Sequence, residues 1–220
     1  LQKESKKNME QYNNLCLDLS TLVTHRYSTS FTRGIKTLHK RFHKPIYAIY
    51  GFVRLTDEIV DSFHEFDKKA LLEEFKKDTW NAIDKKVSTN PILHAFQGIV
   101  NKYDIDRELI ESFLYSMELD LDKKSYDQAF YEKYIYGSAE VVGLMCLRVF
   151  CEGNGSLYQQ LIPPAKRLGA VVEVFDTRPA VKEEVMSLGA KFIEVDGAAD
   201  ASKAESASTV KLKRLPPCPP

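Results

Sequence analysis

"PIYAIYGFVRLTDEIVDSF", residues 45–63, decides the fold. At about 100° per residue, Tyr47, Tyr50, Arg54, Asp57, Glu58 and Asp61 share one arc roughly 100° wide. Ile46, Ile49, Phe52, Val53, Leu55, Ile59, Val60 and Phe63 take the remaining directions. A surface helix carries a broad polar face and a narrower apolar one. Here the proportions are reversed, so the spacing predicts a helix enclosed by others, with its charged stripe turned toward a cavity or the bundle interior. The competing reading is a surface helix laced by Arg54–Asp57 and Arg54–Glu58 pairs, each worth about 0.2–0.5 kcal/mol. The apolar surround argues against it. Buried carboxylates need compensation, and one arginine does not neutralise three of them.

A divalent cation would. Asp57 and Asp61 stand one helical turn apart on one face. Mg²⁺ prefers carboxylate oxygens, keeps several waters and shares its shell with substrate phosphates. Arg54, one turn earlier, offers a fork of donors that matches phosphate. Tyr47 and Tyr50 continue the stripe toward the helix start, where aromatic faces could shield a cation. The chemistry these residue types suggest is ionisation of a diphosphate ester, with metal and arginine holding the departing pyrophosphate.

The whole chain fits that setting. Its 220 residues are enough for one domain, or one and a fragment. Lys+Arg and Asp+Glu are equal at 31 each, a balance that gives no electrostatic case for nucleic acid. No run approaches the roughly 18 apolar residues of a membrane span, and "LQKESKKNMEQ" lacks the apolar core of a signal peptide. Cytoplasmic localisation is expected. The four cysteines show neither paired nor metal-ligand spacing and read as free buried thiols. Residues 1–8 are expected to be extra residues ahead of a natural start at Met9.

Up to about residue 168 apolar residues recur at helical spacing and Gly and Pro are sparse. The pattern predicts helices at about 9–24, 45–63, 68–85, 91–101, 106–122, 128–152 and 155–168. Beyond that, "AVVEVFD" (170–176) is a strand signal. "PAVKEEVMSLGA" reads as a helix from Pro179 to a stop at Gly189, and "KFIEVD" as a second strand. Residues 197–220, rich in Ala, Ser, Lys and Pro, are expected to be disordered.

"YSTSF" (27–31), "PIYAIYGFVRLTDEIVD" (45–61), "MELDLDKKSY" (117–126) and "YIYGSAEVVGLMCLRVF" (134–150) resemble the squalene/phytoene synthases, and among them the bacterial phytoene synthases of carotenoid biosynthesis. The resemblance runs over about 9–169. It implies an all-α isoprenoid synthase fold and a prenyltransferase that condenses two allylic diphosphates, typically geranylgeranyl diphosphate, head to head through a cyclopropyl intermediate. It also implies Mg²⁺, and a lipophilic product that fits peripheral membrane association. Residue by residue, it assigns Asp57 and Asp61 to metal–diphosphate binding, and Arg54, Ser28 and Ser30 to the diphosphate. Tyr50 and Tyr136 are assigned to the cavity wall. Gly137, Ser138, Ala139 and Gly143 are assigned to room for a prenyl chain. Taken without the family, that small-residue patch reads equally as close helix packing.

The resemblance stops at "PPAKRLGA". Family chains continue to a second aspartate-rich motif; this one continues with "VVEVFDTRPAVKEEVMSLGAKFIEVD". That stretch, 165–196, is similar to the nucleotide-binding domain of transhydrogenase alpha subunits and alanine dehydrogenases. Asp176 would meet a ribose there, but the GxGxxG turn that cradles pyrophosphate is replaced by "NGSLYQQLIPPAKRLG". The expected organisation is an incomplete helical domain over 9–169, a strand–helix–strand fragment over 170–196, and a tail. Impaired catalysis follows from the missing motif, with a non-catalytic prenyl-diphosphate binder or an NAD-binding fragment as alternatives. His39 and His43 have helical metal spacing, but the lysines and arginine around them favour a solvated basic surface.

Overall fold

The structure, a computed structural model, describes residues 2–121, 136–169, 173–174 and 191–192. The chain divides into two units, residues 1–163 and 164–220.

The first unit is helical. Its elements are α1 (Gln2–Tyr27), α2 (Thr29–Thr37), a 3₁₀ turn (Lys40–Phe42), α3 (His43–Asp61), α4 (Lys68–Lys85), α5 (Pro91–Tyr103) and α6 (Arg107–Leu121). A π-helical turn (Tyr136–Glu140) leads into α7 (Val141–Phe150), and α8 (Gly155–Gly169) begins in this unit and continues past residue 163. Local chemistry sets several boundaries. Asp67 Oδ1 accepts from the amide of Ala70 and caps α4. Asn90 Oδ1 accepts from the amides of Ile92 and Leu93, with Pro91 at the first helical position of α5. Lys86 and Asp104 end α4 and α5 in the left-handed region, at φ 58° and 52°.

The expected helices are present, with three differences. α1 begins at Gln2 and includes residues expected to precede the first helix. α2 has no counterpart among the expected helices; Ser28 creates it by capping the amide of Phe31 at 3.1 Å. The helix expected over 128–152 is described as a π turn followed by α7, and its expected first residues, 128–135, lie outside the described residues.

α3 occupies the middle. Ten of its residues, from Pro45 to Val60, are buried. Phe52 lies flat on Phe96 of α5, with ring centroids 3.9 Å apart and planes within 2°. Phe75 of α4 and Phe113 of α6 complete the cluster at 5.8 and 5.5 Å. Four helices therefore meet on one aromatic centre. α1 crosses α3 where Gly51 faces Ser20: a Cβ on Gly51 would stand 3.2 Å from the Ser20 side chain. α1 is tied to α5 by Asn13 Oδ1 and His94 Nε2 at 2.7 Å, and to the turn before it by Tyr12 Oη donating to Ser88 O at 2.9 Å.

In the second unit β1 (Glu173–Val174) pairs in parallel with β2 (Lys191–Phe192), Glu173 opposite Lys191 and Val174 opposite Phe192. The helix expected between these strands and the disordered tail expected over 197–220 both lie outside the described residues.

Phe52→Ala is expected to cost about 3–5 kcal/mol, the range for removing a fully buried phenylalanine. Urea unfolding of the full chain checks it.

Candidate active site

The polar strip of α3 begins where its apolar face lets go. Residues 46–49, 52, 56, 59 and 60 are buried; Tyr50, Arg54, Asp57 and Glu58 are half-buried and Asp61 is exposed. Tyr47, placed on the strip by periodicity, departs from it. It is buried, with its ring edge-on to His25 and its hydroxyl 3.4 Å from His25 Nε2. α1 covers that end of the strip and leaves the C-terminal half open.

Arg54 organises what remains. Its guanidinium pairs with Glu58 one turn on and lies over the Tyr27 ring at 4.4 Å. Its Nε is buried and has no hydrogen-bond partner. Burial opposes the charge of Arg54, but the hydrogen bond and charge of Glu58 outweigh it, and the pKa is raised. Glu58 is pushed up by burial and drawn down further by Arg54, Ser62 and Tyr27, so it stays ionised. A buried N–H without a partner carries a desolvation cost, which an anion reaching it would relieve.

Tyr50 and Ser28 extend the strip toward α2. The Tyr50 phenol is raised by burial and hydrogen-bonded to Ser28, and its ring meets Phe31 at 5.0 Å. Ser28 Oγ is therefore both a helix cap and a neighbour of Tyr50. Ser30 is exposed in the first turn of α2, where unpaired amides favour an anion. Ser28, Phe31 and Tyr50 thus meet at the start of α2, and Tyr27 just before it meets Arg54.

Asp57 is the strained member. Burial raises its carboxyl to about 7. Arg54 opposes the shift, while Asp61, Asp120 and Glu58 add to it through like charge. Asp120, from the last turn of α6, is thus a third acidic group acting on Asp57 from a separate helix. This is an all-oxygen donor set with surplus negative charge, which suits a hard divalent cation. Among the described residues no three His, Cys, Asp or Glu side chains converge tightly enough to hold a metal alone. Asp57 and Asp61 are the residues that would hold it.

The other assigned residues lie elsewhere. Tyr136 is half-buried on the π turn and acts on Tyr158, whose phenol is raised first by burial. Tyr158 in turn carries Arg148, 3.9 Å above its ring and doubly bonded to Asp106. Gly137 is used for packing: a Cβ there would stand 2.6 Å from Ser112 O and 2.7 Å from Ser116 Cβ of α6. Of the two readings of the small-residue patch, close packing describes Gly137. Ser138 is half-buried, with its Oγ inaccessible and without a hydrogen-bond partner. Ala139 is half-buried. Gly143 is exposed, and a Cβ added there would meet nothing within 4 Å. His39 and His43 do not converge on a metal. His39 Nδ1 accepts from the Arg41 amide at 3.4 Å, and His43 Nε2 meets Leu38 O at 2.8 Å. A separate groove of about 230 Å³ between α4 and α6, lined by Lys76, Trp80 and Tyr115 among others, contains none of the assigned residues.

Two partners of the strip escape sequence reading, Tyr27 and Asp120. Tyr27 carries no signal beyond its place at the start of "YSTSF". Asp120 stands in "DLDKK", which left to itself reads as a helix end and which the family resemblance sets at the border of the cavity, without a role for Asp120 itself.

The comparisons with known proteins fall into two groups. A family model described as squalene/phytoene synthase matches residues 24–176. Presqualene diphosphate synthase of Rhodopseudomonas palustris is 26% identical over 125 residues, 56% of this chain and 44% of that protein. A solved dehydrosqualene synthase in complex with ligand superposes with a TM-score of 0.61 at 23% identity, covering 72% of this chain and 54% of that one. Squalene synthase HpnC from Alicyclobacillus acidocaldarius does so with a TM-score of 0.63 at 17% identity, covering 82% and 66%. At these identities the structures establish the fold alone. In the second group, an NAD(P) transhydrogenase alpha subunit of Rhodospirillum rubrum is 57% identical over 49 residues, 22% of this chain and 13% of that protein. The chain thus spans less than half of the curated relatives it matches.

The sign of the Asp57 shift sets a pH dependence. The folded carboxyl titrates at about 7 and the unfolded one at 3.8, so the native state binds more protons between those values. Stability therefore falls as pH rises through that window. Without added cation, Asp57→Asn is expected to leave the melting temperature nearly unchanged at pH 4 and to raise it at pH 8. Thermal unfolding at both pH values checks this.

Proposed function

The chain belongs to the squalene/phytoene synthase family, and we propose that its α2–α3 strip binds the diphosphate of an allylic prenyl diphosphate for Mg²⁺-dependent prenyl transfer of the phytoene synthase kind. The single observation that carries this reading is Arg54 Nε, buried and unpartnered beside Asp57, an acid burdened by burial and by like charges. A diphosphate bridged to a cation answers both: it accepts from Arg54 and brings positive charge to Asp57 and Asp61.

In this reading Glu58 and Tyr27 hold the guanidinium in place, and its remaining donors would meet the phosphate. Ser28 and Ser30 receive phosphate oxygens at the start of α2, where the helix dipole favours negative charge. Tyr50 holds its ring beside Phe31 and shields the allylic end from water. Bound Mg²⁺ would supply Lewis-acid stabilisation of the leaving pyrophosphate. The C–O bond breaks with its electron pair on pyrophosphate, and the allylic cation is left facing aromatic rings. Joining of a second allylic diphosphate, geranylgeranyl in the carotenoid case, follows from the family chemistry. Tyr136 and the small residues of the π turn are proposed as its more distant wall. A cytoplasmic site with a lipophilic product fits peripheral attachment to a membrane. Among the described residues no helix is long and apolar enough to cross one.

A second reading is favoured by the sequence after "PPAKRLGA". The acidic groups described here come from α3 and α6, and the family's second aspartate-rich motif is replaced by a stretch similar to transhydrogenase alpha. The chain would then bind prenyl diphosphate and turn it over poorly or not at all. NAD binding by that stretch is the weakest reading; an NADH fluorescence titration with no change removes it.

Incubation with geranylgeranyl diphosphate and Mg²⁺, followed by pyrophosphate release, tests the first reading. Release that is lost in Asp57→Asn and Asp61→Asn is the expected result; release unaffected by both substitutions overturns the assigned roles. Binding of a non-hydrolysable analogue without release selects the second reading. Arg54→Lys is expected to weaken the analogue by about tenfold, since a point charge replaces the planar fork.

A further inference from the structure

Charge is distributed unevenly along the segments that build the site. No Asp or Glu stands between Asp18 and Asp57, and that stretch holds seven Lys and Arg residues. Residues 57–67 reverse the sign: Asp57, Glu58, Asp61, Glu65 and Asp67 stand there with no Lys or Arg among them. A chain of zero net charge thus changes sign between Arg54 and Asp57, inside the candidate site. Of the seven cations Arg54 alone is half-buried; the other six are exposed on α1, α2, the 3₁₀ turn and the start of α3. Arg41 pairs with Glu152 at 2.8 Å and Lys44 with Asp18 at 3.3 Å, with all four side chains more than half exposed. Exposed pairs of this kind are weak. Among the described residues Arg26, Arg33, Lys36 and Lys40 have no ion pair. Their placement follows α2. Ser30 lies in its first turn, Arg33 three residues on and Lys36 three further, along one ridge of the helix. Lys40 follows in the 3₁₀ turn, and α3 then rises about 16 Å from His43 to Arg54.

We propose that the exposed cations of α2 and the 3₁₀ turn are an electrostatic guide that draws the anionic head of the substrate to the strip and sets its orientation on arrival. This rests on the reading of the strip as a prenyl diphosphate site. A diphosphate travelling with Mg²⁺ is itself a dipole, with negative phosphate oxygens and a positive metal. The sign change along the strip accepts it one way round: phosphate toward α2, metal toward Asp57 and Asp61. The acids of 57–67 also select the size of the anion. They repel a long polyanion laid across the strip, so the guide suits a compact head group and not a nucleic acid strand. Cations that lie outside contact range act on the rate of encounter and leave the lifetime of the complex to Arg54, Ser28 and Ser30. Their reach depends on salt. Charge is felt over about 30 Å at 0.01 M and over about 8 Å at physiological ionic strength, so Lys40 contributes at low salt and Arg33 persists longest.

The test is stopped-flow binding of a fluorescently labelled geranyl methylenediphosphonate, a soluble non-hydrolysable probe, to the full chain with Mg²⁺ present. At low salt, Arg33→Gln/Lys36→Gln/Lys40→Gln is expected to associate about tenfold more slowly than the parent, the lower end of steering effects. At high salt the two association rates are expected to converge. Dissociation is expected to be the same in both at every salt concentration, which also shows that the variant keeps an intact site. A control that removes three exposed lysines elsewhere, Lys77→Gln/Lys85→Gln/Lys102→Gln, is expected to match the parent. Four results overturn the proposal: parent association that ignores salt; equal association by the guide variant at low salt; equal slowing in the control, which assigns the effect to total charge; or a guide variant altered in dissociation alone, which makes these residues contacts. The site and the guide fail separately. Faster dissociation in Arg54→Lys with an unaffected guide variant removes the guide and leaves the site. Slower association in the guide variant, with dissociation unchanged in Arg54→Lys and Asp57→Asn, removes the site and leaves the guide.

Discussion

The stacking of Phe52 on Phe96 fixes the rotation of α3 about its own axis, and the candidate site depends on that rotation. Phe52 and Arg54 are two residues apart, roughly 200° around a helix. Driving Phe52 into the aromatic centre therefore drives Arg54 to the opposite side. The same rotation carries Asp57, Glu58 and Asp61 with it, because they share the Arg54 face. Phe75, Phe96 and Phe113 come from three other helices, so the rotation is held from several directions. The hydrophobic core and the polar strip are two consequences of one packing decision.

The strip is kept in a state of incomplete satisfaction. Glu58 and Tyr27 occupy some of the Arg54 guanidinium, and its Nε is left over. Asp57 is enclosed enough to hold its proton near neutrality, with Asp61 and Asp120 adding to the pressure. A protein optimised for stability alone would pair these groups or replace them with apolar ones. Their persistence beside the start of α2, where Ser28 caps a helix and touches Tyr50, is what a diphosphate and a cation together would resolve. Glycines show the same division of labour on the structural side. Gly137 permits a helix crossing at α6 that a methyl group would obstruct, and Gly51 a crossing at α1 that a methyl group would tighten.

The helical character of residues 9–121 is legible because apolar periodicity and caps agree there. Asn90 followed by Pro91, and Asp67 ahead of α4, are local signals that need no tertiary context. α2 is hidden from periodicity because its nine residues carry only one buried side chain, Ile35, and its existence turns on one serine cap. Tyr47 departs from its expected place because periodicity gives direction and not depth: the helix that covers it, α1, is distant in sequence. Left to itself the segment holding Asp120 reads as a helix end, and only the family resemblance sets it at the cavity; its effect on Asp57 exists only once α6 lies near α3.

The sequence by itself determined the helical fold, the family, the Arg54–Asp57–Asp61 strip and the change of character near residue 168. Those depend on local periodicity and on motifs contiguous along the chain. Tertiary structure decided that Tyr27 and Glu58 hold Arg54, that Asp120 presses on Asp57, that Gly137 serves a helix crossing, and that Phe66 stands in solvent. Each of these is a relation between segments brought together by packing, or a degree of enclosure. Charge interaction and desolvation depend on distance and surroundings, which residue order alone does not specify.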